Sequence, residues 1–343
     1  MALRLLVLGG SQFAGRAVVE EGLSRGWKVV TFNRGLSGSV DSRAEHVSGD
    51  RLDPETLTPL LEREWDLVLD TWSGAPIAVR DSARALADRA ARYAYISSES
   101  VYAPPPPLGA TEDSPTVDAS PDLRDAEYAE CKRGAEMAVL EAFGDRTLLA
   151  RAGLILGPQE NIGRLPWWLT RIAAGGEVLA PGPPDLGLQY IDVRDLARFA
   201  LDASLAGHSG AFNVASRRGH ASTESLLEAC RAVTVGDGAL LTWVDPEFLV
   251  DMGIEPWTEL PIWLPPDHQY AGLHAANVER AYAAGLSCRP VRETVADTWT
   301  WMSGLDGPPP QREDRAAPGL EPTRERDALA AWHAQSRPAE RAV

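Results

Sequence analysis

Short apolar runs alternate with amphipathic segments over the first 155 residues. The first run, LRLLVLG at 3–9, is apolar apart from Arg4, as expected of a strand buried on both faces of a parallel sheet. Further runs of this kind predict strands at 27–32, 46–50, 65–72, 92–98 and 146–155. The intervening segments predict helices at 13–24, 77–91 and 127–142, and a helix start at Asp53-Pro54-Glu55. This alternation predicts an α/β fold with a doubly wound parallel sheet of the Rossmann type.

The pattern changes beyond residue 155. Two stretches rich in tryptophan, proline and loops, at 156–185 and 217–303, predict a smaller, loop-rich lobe that binds substrate. Between them, 186–216 is typical of a strand–helix–strand return to the dinucleotide-binding Rossmann domain. Residues 304–343 turn to proline, glycine and charge, and predict a C-terminal tail with a helix at about 322–335.

Composition and charge narrow the class of protein. Of the 343 residues 44% are hydrophobic and 24% charged, and the net charge is −16 at pH 7. Such an acidic surface repels nucleic-acid phosphates and anionic membranes, so neither is expected as a partner, and a homodimer is left open. The three cysteines lie far apart, without the spacing of a metal site. We expect a metal-free cytoplasmic enzyme, because neither a signal peptide nor a membrane helix is evident.

A glycine loop follows the first predicted strand. GGSQFAG at 9–15 stands between a buried strand and a helix, where free backbone N–H groups and the helix dipole favour a pyrophosphate. The residues expected to contact a dinucleotide here are Gly9, Gly10, Ser11, Gln12, Phe13 and Gly15. Gln12 takes the place of the middle glycine in a G-x-x-G-x-x-G loop, so the phosphates are expected to bind in a shifted way.

The ends of the second and third strands bear on the choice of cofactor. Asn33 stands where an acid would bond the adenosine ribose and select NAD, and Arg34 could pair with a 2′-phosphate. Asn33 and Arg34 together therefore favour NADP over NAD as the cofactor. The alternative is that Arg34 is an exposed arginine with no role in binding. Asp50 closes the third strand and is placed to meet the adenine ring, with Arg51 beside it; a capping role is the alternative for Asp50.

A catalytic set is predicted from a tyrosine and a lysine four residues apart. Tyr128 and Lys132 share one face of the predicted helix at 127–142. An ammonium near a phenol lowers the phenol pKa, so that the phenol can move a proton at neutral pH. Ser98, at the end of the fifth strand, can hydrogen-bond the same substrate oxygen.

These features together resemble the extended short-chain dehydrogenase/reductases, the NAD-dependent epimerase/dehydratase group. The resemblance runs from residue 3 to about 302 and rests on GGSQFAG, the Gly-Asp pair at 49–50, SSESVY, YAECK, ARAGLILGP, QYIDVRDLA and TVADTWTWM. It implies that Ser98, Tyr128 and Lys132 form the catalytic triad. Tyr128 would exchange a proton with a hydroxyl or keto oxygen as hydride moves to or from the nicotinamide, and Lys132 would also bind the nicotinamide ribose. The implied cofactor is a tightly bound NAD or NADP.

Within ISSESVYA at 96–103, Glu99 has two interpretations. In the dehydratases of the resembled family an acid pair directly follows the catalytic hydroxyl residue. Glu99 takes the place of the acid and Ser100 the place of the base, so this chain has half of such a pair. Glu99 would then donate a proton to a departing hydroxyl. Alternatively, the alternation of the strand turns Glu99 towards solvent or an arginine.

Three functions remain open at this stage. The first is an epimerase or dehydratase that transiently oxidises a sugar, a nucleoside or a sugar nucleotide, with the dehydratase slightly favoured. The second is an NADPH-dependent ketone reductase. The third is an RNA-binding protein on the same fold, because Gln12 also occurs in a branch that resembles the chloroplast stem-loop RNA-binding proteins; the charge of −16 opposes it.

The substrate side is less specified. Tryptophans and arginines of the lobe could stack on a base or hold a diphosphate, although core tryptophans and exposed arginines are the more common cases. The residues expected to contact substrate are Ser100, Arg164, Trp168 and Tyr190.

Overall fold

The computed structural model describes residues 2–36, 38, 40–234 and 238–336. The chain divides into two compact units. The first contains the chain up to Ile155 together with Gln189–Arg217 and Gly272–Cys288. The second contains Leu156–Leu188, Arg218–Ala271 and the chain from Arg289 onwards.

The described strands are, in chain order, β1 (Arg4–Leu8), β2 (Lys28–Asn33), β3 (Glu45–Ser48), β4 (Leu67–Asp70), β5 (Tyr93–Ser98), β6 (Thr147–Ala152), β7 (Ile155–Leu156), β8 (Gly176–Pro181), β9 (Gly187–Leu188), β10 (Ile191–Asp192), β11 (Gly210–Val214), β12 (Ala221–Ser222) and β13 (Ala239–Val244). The described α-helices are α1 (Phe13–Ser24), α2 (Thr58–Leu61), α3 (Pro76–Leu86), α4 (Tyr128–Phe143), α5 (Arg164–Ala173), α6 (Val193–Leu205), α7 (Thr223–Val233), α8 (Pro246–Asp251), α9 (Glu279–Ala283), α10 (Val291–Ser303) and α11 (Pro322–Ser336).

Seven parallel strands form the sheet of the first unit, in the order β11-β6-β5-β4-β1-β2-β3. Alternate residues of β1 pack into two different cores: Leu5 and Val7 into one, and Leu6 and Leu8 into the other. Both faces of the strand are therefore covered from Leu5 to Leu8, which explains why these four residues are all apolar. The doubly wound parallel sheet predicted from the sequence is confirmed.

The strand order reverses beside β1, which pairs with β2 on one side and with β4 on the other. Ligands of open α/β sheets bind outside the carboxyl ends of the strands at such a point. The glycine loop after β1, the turn after β2 and the loop after β4 all lie at this edge of the sheet.

Residues 272–288 lie in the first unit, whereas the sequence placed them in the substrate lobe. The reason is backbone and side-chain hydrogen bonding that a composition pattern does not reveal. The Gly109 amide donates to the Ala275 carbonyl at 2.7 Å, and Asn213 Nδ2 donates to the Asn277 carbonyl at 3.0 Å.

The second unit combines a two-stranded parallel sheet of β8 and β13 with helices α5, α7, α8, α10 and α11. Its C-terminal helix is held by Glu325, which accepts from Arg171 Nε at 2.6 Å and from the Leu179 amide at 3.0 Å. The tail helix predicted from the sequence is thus part of this unit. None of the described helices is long and apolar enough to cross a membrane.

Candidate active site

The backbone of the glycine loop takes a conformation that favours glycine. Gly9 and Gly10 have φ values of +120° and +96°, which residues with a side chain rarely adopt. A Cβ on Gly15 would lie 2.7 Å from the Gly10 backbone nitrogen, so only glycine lets α1 begin this close to the loop. Gln12, the N-cap of α1, makes no capping hydrogen bond through its side chain. The residues present therefore fit a pyrophosphate at the start of α1.

Asn33 links the glycine loop to the turn after β2. Its Nδ2 donates to the Gly9 carbonyl at 2.8 Å, and its Oδ1 accepts from the Gly35 amide at 2.9 Å. His46 Nε2 lies 3.2 Å from both the backbone oxygen and Oδ1 of Asn33. Arg34 is 56% exposed, and its Nη1 lies 3.9 Å from Asp50 Oδ2. Arg34 is thus the cation that the end of β2 presents to solvent.

Arg51 has a structural role that the sequence did not reveal. Its guanidinium bonds Asp70 at 2.5 and 2.9 Å and Ser82 Oγ at 2.5 Å, and the side chain is 4% exposed. The Arg51 side chain is therefore occupied by this buried ion pair and is not available to contact a cofactor. Asp50 remains a candidate for the adenine side, with Oδ1 accepting from the Leu52 amide at 3.0 Å.

The Lys132 ammonium connects the helix of the predicted triad with two strand ends. Its Nζ donates to the carbonyls of Trp72 and Ile96, each at 2.7 Å. It lies 4.8 Å from the centroid of the Tyr95 ring and 6.0 Å from that of Tyr128. Tyr128 begins α4 and is 37% exposed, whereas Lys132 is buried. The spacing of four residues places the two side chains together, as the sequence predicted.

Ser98 ends β5 at the turn that carries Glu99 and Ser100. Its Oγ accepts from the Ser100 amide and donates to the Ser100 hydroxyl, both at 3.1 Å. Both serines are half-buried. The turn therefore holds the Ser98 hydroxyl at the end of β5. The same strand carries Ile96, whose carbonyl accepts a hydrogen bond from Lys132.

Glu99 is a buried acid. The side chain is 4% exposed, and among the described residues its Oε1 has no hydrogen-bond partner. Burial, together with the negative charge of Glu112, raises the pKa of Glu99 to about 8. The alternative of a solvated carboxylate, which the sequence left open, is wrong.

Several residues of this region escaped the sequence analysis. Glu112 accepts a hydrogen bond from the backbone amide of Asn213 at 2.8 Å, and the Tyr102 hydroxyl donates to the Asn213 side-chain oxygen Oδ1 at 2.5 Å. Arg151 bonds Glu136 through two hydrogen bonds of 2.9 Å. Tyr95 did carry a signal, because it shares one face with Tyr93 and Ser97 on a strand that ends in the predicted site.

The four predicted substrate residues lie in two different units. In the first unit, Ser100 belongs to the turn after β5, and Tyr190 is 2% exposed. In the second unit, Trp168 is 1% exposed and donates from Nε1 to the Pro261 carbonyl at 2.7 Å. Trp168 is therefore a core residue. This is the alternative to substrate stacking that the sequence analysis gave for the tryptophans of the lobe. Arg164 stacks its guanidinium 5.0 Å from the Trp257 ring centroid.

Three solved enzyme structures resemble this chain in fold. WbmH of Bordetella bronchiseptica, in complex with NAD+, has a TM-score of 0.66 at 17% identity, and the match covers 88% of this chain and 99% of that one. dTDP-glucose 4,6-dehydratase of Bacillus anthracis, in complex with NAD, has a TM-score of 0.64 at 15% identity, and the match covers 89% of this chain and 98% of that one. UDP-glucuronic acid 4-epimerase of Bacillus cereus, in complex with NAD, has a TM-score of 0.62 at 15% identity, and the match covers 89% of this chain and 100% of that one. At these identities the likeness shows the fold alone.

The family is shown by the sequence itself. No curated protein sequence matches the chain significantly. The profile of the NAD dependent epimerase/dehydratase family matches residues 5–215, more than half of the 343 residues. The matched part includes the glycine loop, Ser98, Tyr128 and Lys132. This chain therefore belongs to the NAD dependent epimerase/dehydratase family.

Proposed function

We propose that this chain transiently oxidises a sugar, a nucleoside or a sugar nucleotide, with a NAD-type cofactor that stays bound and is recycled in place. The observation that carries the proposal is the Lys132 ammonium, 6.0 Å from the Tyr128 ring centroid and bonded to the Ile96 carbonyl at 2.7 Å. Through Lys132, the helix that begins at Tyr128 is tied to the strand that ends at Ser98. The glycine loop that fits the dinucleotide belongs to the same unit.

The roles of the three side chains follow from their chemistry. When bound, the nicotinamide would accept a hydride from the substrate carbon and later return it. Tyr128 would take the proton of the substrate hydroxyl during oxidation and give it back during reduction. Ser98 would donate a hydrogen bond to the same oxygen. Lys132 would bind the nicotinamide ribose and hold it beside Tyr128.

Glu99 supports loss of water over simple epimerisation. Oxidation of one substrate carbon acidifies the C–H of its neighbour, and elimination then needs an acid for the departing hydroxyl. A buried carboxyl that holds its proton at neutral pH is suited to this donation. The donated proton leaves with the hydroxyl as water. Ser100 carries no charge that could take the C–H proton, so a water molecule would take it. Glu99 would regain its proton from water before the next turnover.

We propose NADP as the preferred cofactor, with NAD as the runner-up. Position 33 carries no carboxylate to repel a 2′-phosphate, and the Asn33 amide is already bonded to Gly9 and Gly35. Arg34 is exposed beside it, with its nearest carboxylate oxygen, on Asp50, 3.9 Å away. A guanidinium in this place can bond a phosphate.

The test combines released small molecules with turnover. Denaturing the purified protein is expected to release a dinucleotide, identified by its mass. Incubation with UDP-glucose, UDP-glucuronic acid, dTDP-glucose and unphosphorylated nucleosides is expected to convert one class into an isomer or a product lacking one water. Tyr128→Phe is the matched control, since it keeps the ring and loses only the hydroxyl. Conversion of none of these classes would reject the proposed substrates, and stoichiometric consumption of NADPH would favour the ketone reductase.

Glu99 is tested separately, in deuterated water with the converted substrate. Glu99→Gln is expected to leave the oxidation step intact and to slow elimination, by on the order of 10² or more for a lost general acid. Equal rates of both steps in the variant and the wild type would exclude Glu99 as the proton donor.

A further inference from the structure

The Trp72 carbonyl accepts two hydrogen bonds from side chains of the candidate active site. Lys132 Nζ donates to this oxygen at 2.7 Å, and Tyr95 Oη donates to it at 2.8 Å. The Tyr95 ring also lies under the ammonium, with its centroid 4.8 Å from Nζ. Tyr95 is fully buried in β5, so its position is set by the core of the sheet. One tyrosine thus contacts Lys132 through its ring and shares an acceptor with it.

Trp72 is held from its other sides as well. Its amide donates to Asp70 Oδ1 at 2.9 Å, and its indole Nε1 donates to the Ala75 carbonyl at 3.0 Å. Asp70 is in turn bonded to Arg51, whose guanidinium lies 5.3 Å from the Trp72 ring centroid. The amide and the indole of Trp72 are therefore both anchored beside a buried ion pair. This anchoring holds the residue whose carbonyl accepts from the ammonium.

The choice of lysine at this position is specific to the site. The chain has 33 basic residues, of which only Lys28 and Lys132 are lysines. Lys28 is exposed, whereas Lys132 is 3% exposed. An ammonium is a compact charge that two convergent carbonyls can hold, whereas a planar guanidinium needs a wider acceptor set.

We infer that Tyr95 is a positioning residue for Lys132. Its hydroxyl orients the Trp72 carbonyl and its ring supports the ammonium, so that Lys132 is held beside Tyr128 and the end of β5. This inference rests on the proposed function of Lys132 in binding the nicotinamide ribose.

The strand itself offers a matched pair of variants. Tyr95→Phe keeps the ring and removes the hydroxyl that bonds Trp72. Tyr93→Phe removes an equally buried hydroxyl of the same strand, which donates to Asp70 Oδ2 at 2.6 Å and does not bond the Trp72 carbonyl. Asp70 keeps its two bonds to Arg51 in that variant. The two changes therefore remove similar buried hydrogen bonds and differ in the acceptor that loses one.

The measurements do not depend on a substrate. Lysine labelled with ¹³C at Cε gives two side-chain signals, and Lys28→Arg assigns them. We expect the Lys132 signal to move in Tyr95→Phe and to stay in Tyr93→Phe. We also expect the affinity for NADH, measured by fluorescence titration after the bound dinucleotide has been removed, to fall about 2- to 10-fold in Tyr95→Phe, the worth of one hydrogen bond. Tyr93→Phe should bind NADH like the wild type.

The outcomes separate this inference from the proposed function. If Lys132→Ala weakens NADH binding while Tyr95→Phe changes neither the Lys132 signal nor the affinity, the role of Tyr95 is overturned. If Lys132→Ala binds NADH like the wild type, the proposed ribose contact fails, and the signal alone decides whether Tyr95 positions the ammonium. If Tyr95→Phe does not fold, the contact is tested in the wild type instead. Absence of a nuclear Overhauser effect between the Lys132 Cε protons and the Tyr95 ring would overturn the contact.

Discussion

The Glu99 carboxyl lies directly against the backbone of Gly153. A Cβ on Gly153 would be 3.2 Å from one Glu99 oxygen and 3.3 Å from the other, so a side chain there would crowd the acid. The absence of a side chain at Gly153 makes the room in which Glu99 is buried. Since burial is the larger cause of its raised pKa, the two residues together keep this carboxyl protonated at neutral pH.

Glu99 should make the stability of the protein fall as the pH rises. Its pKa is raised from 4.5 to about 8 in the folded protein, so between these values the folded state holds a proton that the unfolded state has lost. The contribution is full below about pH 4.5 and is lost as the pH passes about 8. One proton corresponds to a slope of about 1.4 kcal/mol per pH unit. Glu99→Gln should remove this slope, as measured by urea unfolding across the same range.

The matched control is Glu160→Gln in the second unit. Burial raises the pKa of Glu160 from 4.5 to about 7. Glu160→Gln should therefore remove the fall in the free energy of unfolding that Glu160 causes between these pH values. The fall that Glu99 causes should remain. An identical pH dependence of the free energy of unfolding in wild type and Glu99→Gln would show that Glu99 ionises as it does in the unfolded chain.

Gly15→Asp should abolish binding of NAD(H) and NADP(H). The new Cβ would lie 2.7 Å from the Gly10 backbone nitrogen, and the added carboxylate would repel the pyrophosphate. Titration of the cofactor by fluorescence, with the melting temperature as a check of folding, measures the effect. Gly307→Asp is the control, because a Cβ there meets no atom within 4 Å. Unchanged affinity in a folded Gly15→Asp variant would place the phosphate site elsewhere.

Arg34→Asp should shift the preference from NADP towards NAD. It removes the exposed guanidinium at the end of β2 and adds a carboxylate that repels a 2′-phosphate. The ratio of the two affinities should change by about 10- to 100-fold, the worth of one charged hydrogen bond. Arg63→Asp makes the same change at a half-buried arginine that pairs with Glu45 on β3, and should leave the ratio unchanged. The same ratio in Arg34→Asp and wild type would exclude Arg34 from cofactor selection.

Lys132→Ala should lower turnover by on the order of 10² to 10⁴, the usual contribution of a proton-transfer system. Affinity for NADH should fall in the same variant, because the ammonium is expected to contact the nicotinamide ribose. Lys28→Ala removes the other lysine of the chain, on the exposed start of β2, and should change neither quantity. Wild-type turnover in Lys132→Ala would rule out the proposed triad.

Much of the fold was predictable because its signals are local. A strand covered on both faces must be apolar throughout, so the sequence of β1 identified it, and α1 begins and ends at the predicted residues 13 and 24. The glycine loop was equally visible, because residues other than glycine rarely adopt the backbone conformation at Gly9 and Gly10. Tyr128 and Lys132 could be paired from sequence since the helical repeat fixes their separation.

The sequence by itself thus determined the order of the elements, the place of the glycine loop and the pairing of Tyr128 with Lys132. Only the tertiary structure decided that Lys132 bonds the carbonyl of Trp72, 60 positions away, and that Arg51 pairs with Asp70. It also decided that the side chains of Glu99 and Trp168 are buried. The physical reason is that periodicity tells which face of an element a side chain occupies, whereas its partners depend on which strands become neighbours in the sheet.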